Sequence, residues 1–269
     1  MEGEIMEYVI LEKLAAEVRA NRKAALVTLV EEQGSSPGKK GFMMAVFEDG
    51  STLGTIGGGS LEKKATEYAL LCMSEGTNKY LEMELDDTGE LHMQCGGRAS
   101  IFIKVFKAKD RLVIAGGGHI ALELHKLGRL MGFHIVIMED RDEYGNTERF
   151  PNCDIHVGDI GECMRKYPLD KDCYVVIVTR GHGSDADALK AAIGRGAGYI
   201  GMIGSRQKTK YVFNRLLSEG CKQEDLEAVY APIGLGLGGD SHQEIALSII
   251  AEIMLVKNGG CLKHMRDLK

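Results

Sequence analysis

Residues 111–141 read RLVIAGGGHIALELHKLGRLMGFHIVIMEDR, and this stretch decides the fold. A short apolar run at 112–115 meets three glycines at 116–118, and apolar residues at helical spacing follow them. A second apolar run at 135–138 ends on Glu139. Strand, glycine turn, helix, strand and acid, in this order, form the opening unit of a Rossmann-type domain. The stretch therefore predicts a nucleotide-type site.

The spacing within the turn has a physical reason. Gly116 allows a sharp turn out of the strand, and Gly118 leaves room for a phosphate to approach the backbone. Ala121 lets the helix pack closely on the sheet, and the free N–H groups at the helix start favour an anion. Glu139, which follows Gly118 by 21 residues, stands where a ribose 2′-hydroxyl would be bound.

Further strands and helices alternate after residue 141, and 229–233 is expected to be the last strand. This alternation predicts a doubly wound parallel sheet. Polar and glycine-rich segments follow the expected strand ends at 139–141, 180–182 and 204–206. Ligands of open α/β sheets bind at that edge, so these segments are expected to line a cleft.

The N-terminal part predicts a smaller α+β domain, and we place the domains at 1–107 and 108–269. Its glycine triplet at 57–59 precedes a helical pattern, with Ser60 as the expected N-cap. Cys95 lies beside two glycines and Arg98, a setting that favours the thiolate, although a lone cysteine is more often a small buried hydrophobe.

Composition narrows the class of protein. The chain has 269 residues, 44% of them hydrophobic, which is enough for a buried core, and a net charge of −6. The negative charge argues against nucleic-acid and anionic-membrane partners, and neither a membrane span nor a secretory signal is expected. Seven cysteines without a CxxC pair predict reduced thiols in a cytoplasmic protein, with no structural zinc and no disulfide framework.

Several motifs occur in a characteristic order along nearly the whole chain. They are GSSPGKKG (34–41), GTIGGGSLE (54–62), QCGG (94–97), AGGGHIA (115–121), EDR (139–141), RFP (149–151), YIGMIGSRQK (199–208) and the segment from PIGLGLGG to EIALSIIAEI (232–253). With this set the chain resembles the XdhC/CoxI family, the xanthine dehydrogenase accessory factors that handle molybdenum cofactor.

The resemblance implies a cofactor chaperone more than a catalyst. It implies binding of molybdenum cofactor (molybdopterin), its protection during sulfuration and its delivery to a xanthine dehydrogenase-type molybdenum hydroxylase. A cysteine desulfurase as a second partner and a homodimer are further expectations. Cys95 is the candidate sulfur-handling thiol, and no residue is assigned to a metal. The expected cofactor contacts are Gly57, Gly58, Gly59, Ser60, Gly96, Arg98, Gly116, Gly117, Gly118, His119, Ile120, Glu139, Asp140, Arg141, His182, Gly204, Ser205 and Arg206.

The sequence departs from the family pattern at three places. Ser60 stands where the family often has cysteine, which concentrates the sulfur hypothesis on Cys95. Ser241-His242 replaces threonine-proline, and Ser241 with Glu244 still matches a capping box. Glu139-Asp140 replaces aspartate-proline.

Two other functions remain open at this point. An NAD(P)-dependent oxidoreductase is suggested by the glycine turn and by Glu139, but the sequence offers no proton-relay constellation. A nucleotide-regulated or purely structural scaffold would use the glycine turns as packing devices.

Overall fold

A computed structural model of the chain describes residues 2–34, 38–85 and 97–267. The chain divides into two compact units, Met1–Ala108 and Lys109–Lys269, and each is described by itself. No helix in these residues is long and apolar enough to cross a membrane.

The N-terminal unit is an antiparallel sheet with one helix on each face. Its strands lie in the order β3-β2-β1-β5-β4. The elements are α1 (Glu2–Arg19), β1 (Ala24–Gln33), β2 (Met43–Phe47), β3 (Thr52–Gly54), α2 (Gly59–Glu75), β4 (Lys79–Leu85) and β5 (Gly97–Phe106).

Alternating burial along the strands explains the two helical layers. In β1, Ala25 and Val27 pack in one cluster with Leu61 and Ala65 of α2. The other face of the sheet packs on Ile10 and neighbouring residues of α1. Successive strand residues point to opposite faces, so each helix receives every second side chain.

The C-terminal unit is a parallel sheet with helices on both faces. Its strands lie in the order β10-β9-β6-β7-β8, the Rossmann order, which reverses between β6 and β9. The elements are β6 (Arg111–Ala115), α3 (His119–Leu130), β7 (His134–Glu139), β8 (Asp154–Val157), α4 (Ile160–Lys166), β9 (Cys173–Ile177), α5 (His182–Ala192), β10 (Tyr199–Met202), α6 (Arg206–Ser218), α7 (Gln223–Glu227), α8 (His242–Lys257) and a short 3₁₀ helix (Met265–Asp267).

Burial on both faces matches the apolar runs of the central strands. Val113 packs in a cluster with α4, α5 and α6, whereas Leu112 packs in another with α3 and α8. All residues of β9 are buried, as expected for a strand covered on both sides. The predicted fold class, a Rossmann-like parallel sheet with a smaller α+β domain before it, is confirmed.

The prediction that residues 229–233 form the last strand is wrong. Tyr230 makes only an isolated parallel bridge to Gly201. Pro232 has no backbone N–H to donate, so a regular ladder cannot continue through it.

The glycine turn after β6 is shaped by close contact with the chain after β9. Gly116 has φ of +110°, and a methyl group there would lie 2.7 Å from the Val178 carbonyl oxygen. Gly118, two residues later, has φ of −74° and open space around the position of a methyl group. Of these two positions, only Gly116 therefore requires glycine for its backbone conformation.

We expect Gly116→Ala to lower the free energy of unfolding by about 3 kcal/mol, because it combines an unfavourable φ with a backbone clash. Gly118→Ala is the matched control and should change stability by less than about 0.5 kcal/mol. Urea unfolding of both variants measures the difference. Equal stability of the two variants would contradict this account of the turn.

Candidate functional site

Glu139, at the end of β7, holds the glycine turn in place. Its carboxylate is 2% exposed and accepts hydrogen bonds from the Gly117 N–H at 2.5 Å and from Arg141 Nε at 2.8 Å. Burial alone would raise the pKa of Glu139, but hydrogen bonds from Arg141, Asp140 and Gly117 outweigh it and hold the pKa below its usual range. The acid is therefore an ionised, internally satisfied group.

The pKa of Asp140 is shifted in the opposite direction, above its usual range. The hydrogen bond that its protonated form donates to Glu139 raises the pKa of Asp140, and burial and the negative charge of Glu139 add to the rise. Arg141 lies 3.4 Å from the Asp140 carboxylate and also faces the Tyr144 ring, 3.8 Å from its centroid. The predicted EDR segment is therefore one connected cluster.

The segment after this cluster closes over Gly117. Arg149 donates a hydrogen bond to the Gly117 carbonyl at 3.1 Å, and its guanidinium lies 4.9 Å from the Tyr144 ring centroid. A methyl group at Gly117 would lie 2.6 Å from the Tyr144 carbonyl oxygen. Both polar groups of Gly117 are thus used by the chain's own side chains.

An NAD(P) site of the Rossmann type requires a ribose hydroxyl to bind at Glu139. The Glu139 carboxylate is almost fully buried, and its two oxygens accept from the Gly117 N–H and from Arg141, so it is directed into the turn and not toward a ligand. The geometry at this acid therefore does not fit the ribose contact that the sequence suggested.

The start of α3 is the open part of the turn. Gly118 is its N-cap, makes no side-chain capping bond, and no acid lies in the first helical turn. The first N–H groups of a helix lack intrahelical partners, so those following Gly118 can meet a ligand. The exposed ring of His119 stacks on that of His242 at the start of α8, with centroids 5.0 Å apart.

A small polar cleft lies beside Gly116 at the carboxyl ends of the strands. Its volume is about 140 Å³. It is lined by Gly116, Glu139, Asp140, Arg141, Ile160, Thr179, Arg180, Gly181 and Ser184. Drug-sized ligands occupy pockets of about 300–1,000 Å³, so this cleft suits one small group such as a phosphate. Arg180 is exposed and makes no ion pair with any residue that the structure describes.

A buried ion pair joins the first turns of α5 and α6 beside this cleft. Asp185 is fully buried, accepts a 2.6 Å hydrogen bond from Thr179 Oγ1 and pairs with Lys208. Lys208 crosses Gly204, where a methyl group would lie 2.8 Å from Lys208 Cδ. Gly204 therefore has a packing role that the sequence did not reveal.

Three further predicted cofactor contacts of the C-terminal unit do not line the cleft beside Gly116. Ser205 caps α6 by accepting from the Lys208 N–H, and Arg206 points to a different groove along α6. His182 is the first residue of α5. Sequence reasoning missed Tyr144 and Arg149, and it did not assign roles to Thr179, Asp185 and Lys208. Arg149 lies in the RFP motif and Lys208 in the GSRQK motif, and these motifs were the only sign in the sequence that the two residues matter.

In the N-terminal unit, two of the predicted cofactor contacts, Gly58 and Arg98, pair with glutamate side chains of the same unit. The expected N-cap Ser60 is wrong, because α2 begins at Gly59 with Gly58 as N-cap and no side-chain capping bond. Instead, the Glu62 carboxylate accepts from the Gly58 N–H at 2.8 Å and thereby places a negative charge among the glycines 57–59. Arg98 forms an ion pair with Glu84 at 3.1 Å.

Cys95 and Gly96 lie outside the described residues. Within the part that is described, no group of three or more His, Cys, Asp or Glu side chains has the geometry to hold a metal ion.

We expect Glu139→Gln to lower the free energy of unfolding by about 2–3 kcal/mol at pH 7, because a buried arginine pair and a charge-assisted hydrogen bond are lost. Since the folded pKa is lowered, the ionised carboxylate stabilises the fold above the unfolded pKa of about 4.3 and ceases to do so as the pH falls through the folded pKa. The difference in the free energy of unfolding between wild type and Glu139→Gln, measured by urea unfolding, should therefore become smaller below about pH 4.

Asp140→Asn provides the control for that experiment. Because the pKa of Asp140 is raised, its ionised form is disfavoured in the folded protein, and neutralising it at pH 7 should not destabilise the chain. A loss equal to that of Glu139→Gln would contradict the assignment of Glu139 as the ionised member of the pair.

Comparison with known proteins places the chain in a family. Residues 112–253 match the model of the XdhC Rossmann domain, and residues 17–84 match that of the XdhC and CoxI family.

Three curated proteins are similar to the chain. YqeB of Escherichia coli strain K12, described as uncharacterized, is 32% identical over 87% of the chain and 43% of its own length. A probable xanthine dehydrogenase subunit of Bacillus subtilis strain 168 is 29% identical over 58% of the chain and 45% of its own length. The molybdenum cofactor insertion chaperone PaoD of Escherichia coli strain K12 is 23% identical over 88% of the chain and 85% of its own length. The chain thus spans less than half the length of the first two.

A solved structure shares the fold. The crystal structure of a protein described as a xanthine dehydrogenase from Bacillus halodurans aligns with a TM-score of 0.53 and 20% identity, over 94% of the chain and 97% of its own. The two family models, of which the XdhC Rossmann domain covers more than half of the sequence, show that this chain belongs to the XdhC and CoxI family.

Proposed function

We propose that this protein binds molybdenum cofactor and delivers it, in sulfurated form, to a xanthine dehydrogenase-type molybdenum hydroxylase. The observation that carries the proposal is family membership together with the similarity to PaoD, a molybdenum cofactor insertion chaperone aligned over 85% of its length. The similarity to a probable xanthine dehydrogenase subunit supports the class of partner.

The chemistry of the C-terminal unit supports an anionic cargo. Molybdopterin carries a phosphate, and when bound it supplies the ligands that hold molybdenum for the partner enzyme. The open N-terminus of α3 at Gly118 offers backbone N–H groups without a competing acid in its first turn. Arg180 adds a cation with no ion-pair partner in the described ranges, and with Arg141 it offsets the carboxylates of Glu139 and Asp140 that also line the cleft.

The described thiols differ in their suitability for sulfur handling. Burial raises the pKa of Cys153 and Cys173 to about 11 and also raises that of Cys72 and Cys163. A thiol with a raised pKa is a poor source of the thiolate nucleophile at neutral pH. These four are therefore weak candidates, and we retain the proposal that Cys95 handles the sulfur.

We expect Gly118→Asp to fold and to bind molybdopterin at least tenfold more weakly. The new side chain meets open space, while its charge opposes an anion at the helix start. Purified protein is mixed with molybdopterin, and bound pterin is quantified by fluorescence after oxidation. Gly118→Ala is the matched control and should bind like wild type. Absence of pterin binding by wild-type protein would refute the proposed function, whereas equal binding by Gly118→Asp would refute this location.

We expect Cys95→Ser to leave pterin binding unchanged and to reduce activation of the partner hydroxylase severalfold, because serine cannot carry transferable sulfur. Activation is measured by substrate turnover after incubation with sulfide-free, cofactor-loaded protein and a sulfur donor. Cys261→Ser is the control, since Cys261 is an exposed cysteine elsewhere in the chain. Full activation by Cys95→Ser would remove this thiol from the mechanism.

A further inference from the structure

A groove of about 480 Å³ runs along one face of α6. It is lined by Arg206, Thr209, Lys210, Phe213, Asn214, Leu217, Gln223, Ala231 and Pro232. The α6 residues recur every three or four positions, so they form a single stripe about three turns long. We call this surface the α6 groove. Its volume falls within the range of pockets that bind small organic molecules.

The basic residues of α6 divide into two groups. Lys208 pairs with Asp185, and Arg215 pairs with Asp187 and Glu219. Arg206 and Lys210, which line the groove, form no ion pair or side-chain hydrogen bond with the residues that the structure describes. The two cations without partners therefore face the same groove, one helical turn apart.

The helix itself strengthens the positive end. Arg206 is the first residue of α6, and no acid lies in its first turn. The N-terminal end of a helix favours negative charge, and that preference adds to the two side-chain charges. This end of the groove therefore favours an acidic group.

The opposite end of the groove carries its apolar side chains, beside the polar Asn214 and Gln223. Phe213 is half-buried and Leu217 is 38% exposed, and they lie one and two turns beyond Lys210. Pro232 contributes an exposed apolar ring to the other wall. A flat or aliphatic body on this floor would remove these carbons from water, which stabilises binding in proportion to the area covered.

We propose that the α6 groove is a binding site for a small amphiphilic organic anion. Its acidic group pairs with Arg206 and Lys210, and its aromatic or aliphatic body covers Phe213 and Leu217. This site is separate from the cleft beside Gly116, and it does not depend on the proposed handling of molybdenum cofactor.

The probe for this site is 8-anilinonaphthalene-1-sulfonate, which joins a sulfonate to an aromatic body and fluoresces when it leaves water. We expect wild-type protein to bind it at one saturable site with Kd below about 100 µM. Arg206→Gln with Lys210→Gln should weaken binding at least tenfold, because two charge-assisted contacts are lost. Phe213→Ala should weaken it severalfold through lost apolar contact.

The control removes the same charge from paired residues. Lys190→Gln with Arg215→Gln also deletes two cations, but these pair with Glu219. This control should bind the probe within twofold of wild type, and thermal unfolding verifies that every variant is folded. No saturable binding by wild type, or equal weakening by both double variants, would overturn the proposal. Neither result depends on whether the protein binds molybdopterin.

Discussion

At three glycine turns the chain places its own glutamate carboxylate on a backbone N–H. Glu62 accepts from Gly58, Glu139 from Gly117, and the 8% exposed Glu252 from Gly234. Glycine turns present N–H groups that no helix or strand satisfies, and burying them unpaired is costly. Glu252 also accepts from Tyr199 at 2.5 Å, so one carboxylate joins α8, β10 and the last glycine loop. These internal acids fix the shape of the turns, and they also decide where an external anion can bind.

The internal acids explain how a Rossmann sheet can keep its architecture while its site changes character. In a dinucleotide site the acid after the second strand faces the ligand. Here that acid is turned inward by Gly117 and Arg141, and Arg149 takes the carbonyl of the same glycine. The turn is then rigid before any ligand arrives, and binding depends on the groups that remain open. Those groups lie at helix starts without a first-turn acid, α3 and α6.

Sequence patterns predicted the layers of the fold well, because burial periodicity and the glycine turn depend on local residue order. The Rossmann unit and the helix start at Ser241 follow from such order, and the capping box with Glu244 is present. The pairing of Lys208 with Asp185 depends on the first turns of α5 and α6 meeting in space, which no local pattern encodes. The prediction of Ser60 as N-cap was wrong for a different, local reason, because α2 begins at Gly59 and the Gly58 N–H donates to Glu62 inside the helix.

The two open regions of the C-terminal unit differ in the size of group that they admit. The cleft beside Gly116 has about 140 Å³ and polar walls, whereas the α6 groove has about 480 Å³ and an apolar floor. The first volume is below the range of about 300–1,000 Å³ that drug-sized ligands occupy, and the second lies within it. Since Lys208 is committed to Asp185 between them, its charge is neutralised and does not join the two positive regions. The C-terminal unit therefore has two separate regions with cations that lack partners among the described residues, and these regions differ in volume and in the polarity of their walls.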